Sequence, residues 1–121
     1  MPTDVERRKI NAQMYYDCFV ETLEAYSTEI LKMSDDELEE YLFDEVDGKI
    51  YAWLNEEHLN VMEEFGYIDA QIHRRAKALY QSYQNLDGSE LWDIQYVRTA
   101  LEWSHIFYSA ERILYLLKFK K

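Results

Sequence analysis

Apolar side chains recur along this chain at steps of three and four, in stretches separated by short polar breaks, the spacing of helices that bury one face. The first stretch opens at Thr3-Asp4-Val5-Glu6. This is a capping box: a Thr hydroxyl accepts from the Glu amide while the Glu carboxylate reaches back. Ile10, Met14, Cys18 and Tyr26, with Tyr15, Phe19, Leu23 and Ile30 alongside, predict one wide buried face on a helix reaching about Leu31. Ser34-Asp35-Asp36-Glu37 repeats the capping signature and predicts a second, shorter helix. Its inner side is Leu38, Tyr41, Leu42 and Val46, with Phe43 beside them, and Asp47-Gly48 supplies its stop.

Lys49 to Leu54 reads as a connection carrying Ile50, Tyr51 and Trp53, followed by Asn55 as a helix cap. Beyond it, Val61, Phe65, Ile68, Ile72, Ala76, Leu79, Tyr83 and Leu86 keep helical spacing straight across Gly66. That continuity predicts one long helix over 56–84, tolerating its glycine at a cost of ~1 kcal/mol relative to Ala. Asn85-Leu86-Asp87-Gly88 is a turn, and Ser89 would cap a last helix running to about Leu117. That helix is apolar on most sides, through Trp92, Tyr96, Ala100, Trp103, Phe107, Ala110 and Leu114, so it is expected at the centre of the fold. Lys118, Lys120 and Lys121 follow at its C-terminal end, where the helix dipole favours cations.

With three glycines, one proline and no Val/Ile/Thr runs, little in the composition interrupts helix or favours strand. The expectation is an all-α fold, an antiparallel helical bundle of three long helices and one short acidic helix, in a single domain spanning 1–121. A hydrophobic share of 48% and an aromatic share of 16% suit a folded chain rather than a disordered acidic one.

Charge changes the picture most. Thirteen carboxylates stand between Glu29 and Glu64 against Lys32 and Lys49 alone, so this one segment holds the entire net charge of −11. The rest of the chain sums to zero. A pI near 4.6 disfavours direct contact with nucleic-acid phosphates or anionic lipid and favours a basic protein partner. The longest apolar run, Ile113 to Leu117, is far short of a membrane span. A lone Cys18 and a polar N-terminal segment lead to the cytoplasm as the expected compartment.

Within the second helix Asp35 and Glu39, Asp36 and Glu40, and Glu40 and Asp44 are like charges four apart, each pair unfavourable by roughly 0.2–0.5 kcal/mol. Asp35, Asp36 and Glu37 are compensated at a helix N-terminus, whereas Asp44, Glu45 and Asp47 fall at the opposite end, where the dipole opposes them. Eleven tyrosines add rigid contact area with polar tips, and Tyr41 and Tyr51 bracket the acidic run. The candidate partner-binding set is therefore Asp36, Glu39, Glu40, Tyr41, Asp44, Glu45, Asp47, Tyr51, Trp53, Glu56 and Glu57. A basic partner such as a nuclease toxin or a nucleic-acid-processing enzyme fits it, and self-association through the apolar last helix is the other association the charge pattern allows.

Metal chemistry has thinner support, and no cofactor is expected. Glu102-x-x-His105 has the spacing of a di-iron half-site, but no second Glu-x-x-His accompanies it. Asp47-Gly48-Lys49-Ile50 would sit inside a calcium loop whose first and last ligands are Phe43 and Leu54, neither an oxygen donor. Glu56-Glu57-x-x-Asn60 and Glu90-x-x-Asp93 resemble the two short acidic motifs of the all-helical MazG-like nucleotide pyrophosphohydrolases, with Asn60 where that family has an acid. The resemblance implies magnesium held by Glu57, Glu90 and Asp93 beside a phosphate chain, and sets a hydrolase against the binding module.

Overall fold

The computed structural model describes residues 3–119; Lys120 and Lys121 lie outside them. Every regular element among the described residues is helical, so the chain is an all-α protein. Helix α1 spans Asp4–Ala25, a 3₁₀ turn Thr28–Lys32, α2 Asp35–Glu40, and a π turn Tyr41–Glu45 continues α2. Then come α3 Lys49–Trp53, α4 Glu56–Glu64, α5 Ala70–Leu86, α6 Ile94–Val97 and α7 Leu101–Phe119.

Both predicted caps form, the first as a full capping box and the second through the Ser34 hydroxyl alone. Thr3 Oγ1 accepts from the Glu6 amide at 3.1 Å while Glu6 Oε2 accepts from the Thr3 amide at 3.3 Å. Ser34 Oγ accepts from the Glu37 amide and donates to Glu37 Oε1 at 2.9 Å. Helix α1 stops six residues short of the predicted Leu31, because tertiary hydrogen bonds claim the chain there. The Tyr26 hydroxyl points inward to the Val46 carbonyl and the Tyr83 hydroxyl, both at 3.2 Å, and Thr28 donates its amide to Glu111 Oε1 at 2.7 Å. The buried face also differs from expectation. Ala12, Phe19, Thr22 and Leu23 are buried, whereas Ile10 and Met14 are exposed, since the elements packed on α1 cover only one side of its N-terminal half.

Helix α2 closes through an i to i+5 bond, the Val46 amide donating to the Tyr41 carbonyl at 3.0 Å, and Gly48 at φ 87° supplies the predicted stop. Leu38, Leu42 and Val46, four residues apart, are buried. The predicted connection 49–54 is itself a short helix that buries Ile50 and Leu54.

The single helix predicted over 56–84 is two. Gly66 takes φ 79°, its amide and that of Tyr67 close onto the Glu63 and Met62 carbonyls, and Asp69 caps α5 by accepting from the Ile72 amide at 2.8 Å. A left-handed glycine followed by a cap is a helix end and a helix start. The predicted apolar series holds on α5, which buries Ile72, Ala76, Leu79, Tyr83 and Leu86, but not on α4, which turns Leu59 and Met62 to the core and leaves Val61 and Phe65 half-buried.

Ser89 caps no helix either. It ties a turn, donating to the Leu86 carbonyl at 2.7 Å and accepting from the Leu91 amide at 3.2 Å. Asp93 caps α6, and α7 starts only at Leu101. The displaced stretch has another task, to lay Trp92 against Tyr83 and Trp103 and to give the Leu91 carbonyl to Trp103 Nε1 at 2.7 Å.

The pairings run in opposite senses. Along α1, Arg8 meets Glu64, Tyr15 meets His58 and Glu21 meets Lys49, so α1 descends as α3 and α4 ascend. Along α4 and α5, Glu63 meets His73 and Glu56 meets Lys77. Helix α7 touches α1, α5, α6 and the 3₁₀ turn, and buries Trp103, Ile106, Phe107, Ala110 and Ile113, the central position its apolar sequence predicts. No helix among the described residues is long and apolar enough to cross a membrane.

Candidate partner-binding groove

Helix α2 and its π turn set Asp36, Glu40 and Asp44 at successive steps of four, one line along the outer surface, with Glu39 and Phe43 beside it. Facing them is the segment that precedes and opens α6. Asp36, Glu39, Glu40, Phe43 and Asp44 on one wall and Trp92, Asp93 and Ile94 on the other enclose an open groove of about 560 Å³. Its floor is aromatic: Phe43 meets Trp92 edge to face at 5.2 Å between ring centroids and Trp103 likewise at 6.0 Å. Its rim is five carboxylates.

The groove is held from behind by Arg98. Its guanidinium donates to Asp35 Oδ1 at 3.1 Å, to the Met33 carbonyl at 2.6 Å and to the Leu31 carbonyl, so three groups at the start of α2 are fixed to the end of α6. Among the described residues this is the one cation on the acidic wall, and it lies on Asp35, outside the groove. Among the described residues no Lys, Arg or His comes within ion-pair distance of Asp36, Glu39, Glu40, Asp44 or Asp93. The four on α2 and its π turn are exposed and at helical spacing, so they repel one another.

The sequence-predicted set divides. Asp36, Glu39, Glu40 and Asp44 line the groove; Glu45 and Asp47 are exposed beyond its end. The aromatic anchors face inward instead. The Tyr41 hydroxyl donates to the Ala25 carbonyl and the Tyr51 hydroxyl to Asp87 Oδ2, each at 2.8 Å. Burial, then the charge of Glu45, raises the Tyr41 pKa; burial, then the bond to Asp87, raises that of Tyr51. Both phenols are thereby kept as donors. Trp53 stacks on His58 at 5.5 Å. Glu56 is engaged by His73 Nε2 at 3.3 Å and Lys77 at 3.7 Å, and Glu57 is exposed on the same helix. Phe43, Trp92, Asp93 and Ile94 are the groove residues that the sequence reading did not assign to it. No local signal marks the last three as neighbours of α2.

The two motifs resembling a nucleotide pyrophosphohydrolase are not gathered. Glu56 lines a cleft with Lys77 and Tyr80, whereas Asp93 faces α2. Among the described residues no three His, Cys, Asp or Glu side chains are grouped as metal ligands. No known family, curated protein or solved structure matches this chain.

Proposed function

We propose that the protein is a small acidic binding module whose α2 and α6 groove occupies a basic surface of a partner protein, of the kind with which proteins grip nucleic acid or nucleotides. One observation carries the reading: five carboxylates rim an aromatic-floored groove, and no cation of the described residues neutralises them. A helix that repels itself gains stability when a complementary surface arrives. Such a charge block also speeds encounter by long-range steering, while Trp92 and Phe43 offer the apolar contact that persists once water is expelled. An immunity-type inhibitor of a nuclease toxin, or an inhibitor of another nucleic-acid-processing enzyme, is the biological role these properties suit.

The test is capture from lysate at low salt by the native chain beside an Asp36→Lys, Glu40→Lys, Asp44→Lys variant, with folding of both verified by circular dichroism. A basic protein held by the native chain, released by salt and lost with the variant supports the proposal. Equal capture by both proteins removes the groove from consideration.

A further inference from the structure

Helix α2 already holds one guanidinium. Arg98 reaches it from the end of α6 and divides its donors among three acceptors, Nε to Asp35 Oδ1, Nη2 to the Met33 carbonyl and Nη1 to the Leu31 carbonyl. A planar fork of N–H groups can be shared in this way, and the point charge of an ammonium has no such fork.

On the outer side of the same helix the acceptors stand open. Among the described residues no hydrogen bond reaches the carboxylates of Asp36, Glu40 or Asp44. Asp93, on the facing wall, engages only Oδ1, which caps α6 by accepting from the Gln95 amide at 3.1 Å. Between these walls lie Phe43 and Trp92, both half-buried, so part of each ring faces the groove.

We infer that the groove selects arginine over lysine, a guanidinium of the partner lying on the Phe43 and Trp92 floor with one edge toward Asp93 and the other toward the α2 carboxylates. The inference rests on the binding-module reading above and names the side chain that the module takes. Two properties of the groove carry it. Its floor is aromatic: an ammonium is strongly hydrated and loses more on leaving water, whereas a guanidinium is weakly hydrated and is drawn to the face of an indole or phenyl ring. Its carboxylates stand on opposite walls, and the donors on the two edges of one guanidinium plane can satisfy both at once. The carboxylates of Asp36, Glu40 and Asp44 repeat every four residues, about 6 Å along a helix. An occupant that engages more than one of them presents its arginines at that same interval, as one face of a helix does. The partner surface is therefore an arginine-bearing helix of a basic protein.

The test compares two alanine-based helical peptides of equal charge, one with arginine and one with lysine at every fourth position, by titration calorimetry at low salt. The native chain should bind the arginine peptide ~10-fold more tightly than the lysine peptide. Trp92→Leu, with its helical spectrum verified, should bring the two affinities within ~3-fold of each other while both stay salt-sensitive. Asp93→Asn keeps a residue able to cap α6, so it tests the wall without disturbing the fold, and it should weaken the arginine peptide more than the lysine peptide. Equal affinity of the native chain for the two peptides would overturn arginine selection and leave the acidic module standing. A preference that survives both Trp92→Leu and Asp93→Asn would overturn the groove as its seat. Binding of neither peptide would also overturn the inference, and the module itself is then judged by its own capture from lysate.

Discussion

The ring of Trp92 meets that of Phe43 edge to face, centroids 5.2 Å apart, and this contact seats the loop before α6 on the acidic turn after α2. It joins segments far apart in sequence, and it turns a charged helix into one wall of a groove. Its energy is separable from the area the two rings bury. In a double-mutant cycle with Phe43→Ala and Trp92→Ala, the coupling should be about 0.5–1.5 kcal/mol. Additive losses in urea denaturation would show that the rings only share a surface.

Gly66 offers a test by sign. At φ 79°, with nothing within 4 Å of the place a Cβ would take, Gly66→Ala meets no clash and pays only for the left-handed conformation. It should destabilise the protein by about 1–2 kcal/mol. A continuous helix through residue 66 would instead gain ~1 kcal/mol from the same change. The direction of the shift in denaturation midpoint decides between them.

Charge reversal on α2 should separate stability from binding. Asp44→Lys and Glu45→Lys place cations where the helix dipole favours them and should each raise stability by about 0.3–1 kcal/mol at low salt. The gain should shrink as salt rises. If the groove binds a basic surface, Asp44→Lys should at the same time lose the partner, so a variant that is more stable and equally competent would count against that role.

Alkali should unfold the protein through its buried phenols. The Tyr26 hydroxyl shares its proton between Val46 and Tyr83, and burial raises the pKa of both tyrosines, that of Tyr83 from 10.0 to about 12. The folded state therefore holds these protons more tightly than the unfolded chain does. The resulting stability is complete below the unfolded pKa of about 10 and is lost as pH rises towards and past about 12. Urea midpoints from about pH 9 to about pH 12, followed beside tyrosinate absorbance, should fall together with the appearance of tyrosinate. A Tyr26→Phe, Tyr83→Phe protein should lose less over that range.

The core tryptophan sets the scale for these effects. Trp103 is fully buried, packs on Phe43, Trp92 and Phe107, and donates to the Leu91 carbonyl. Trp103→Ala should cost about 3–5 kcal/mol, and a loss under ~1 kcal/mol would contradict the packing described.

What the sequence by itself determined is whatever a few neighbouring residues decide. Helix class follows from apolar spacing and the scarcity of breakers. Helix starts at Thr3, Ser34 and Asn55 follow from side chains that reach their own backbone, and the stop at Gly48 from a residue free to turn left-handed. The location of the charge block is equally plain in the residues.

The tertiary structure decided where periodicity is interrupted and which side chains share a surface. Spacing of three and four runs across Gly66 through Val61 and Phe65, yet α4 buries Leu59 and Met62 instead, because the return packing of α4 on α5 sets which side of each helix faces the core. Helix α1 ends early because Tyr26 bonds to Val46 and Tyr83 and Thr28 to Glu111, and the helix predicted from Ser89 waits until Leu101 because Trp92 is held by the core. The groove divides in the same way. Its carboxylates are legible as a run, but Trp92, Asp93 and Ile94 join them through a contact that no local pattern encodes. Tyr41, Tyr51 and Trp53 carry the chemistry of anchors, yet hydrogen bonds and ring stacking turn them inward. Residue type sets what a side chain can do, and the packing of distant segments sets which way it faces.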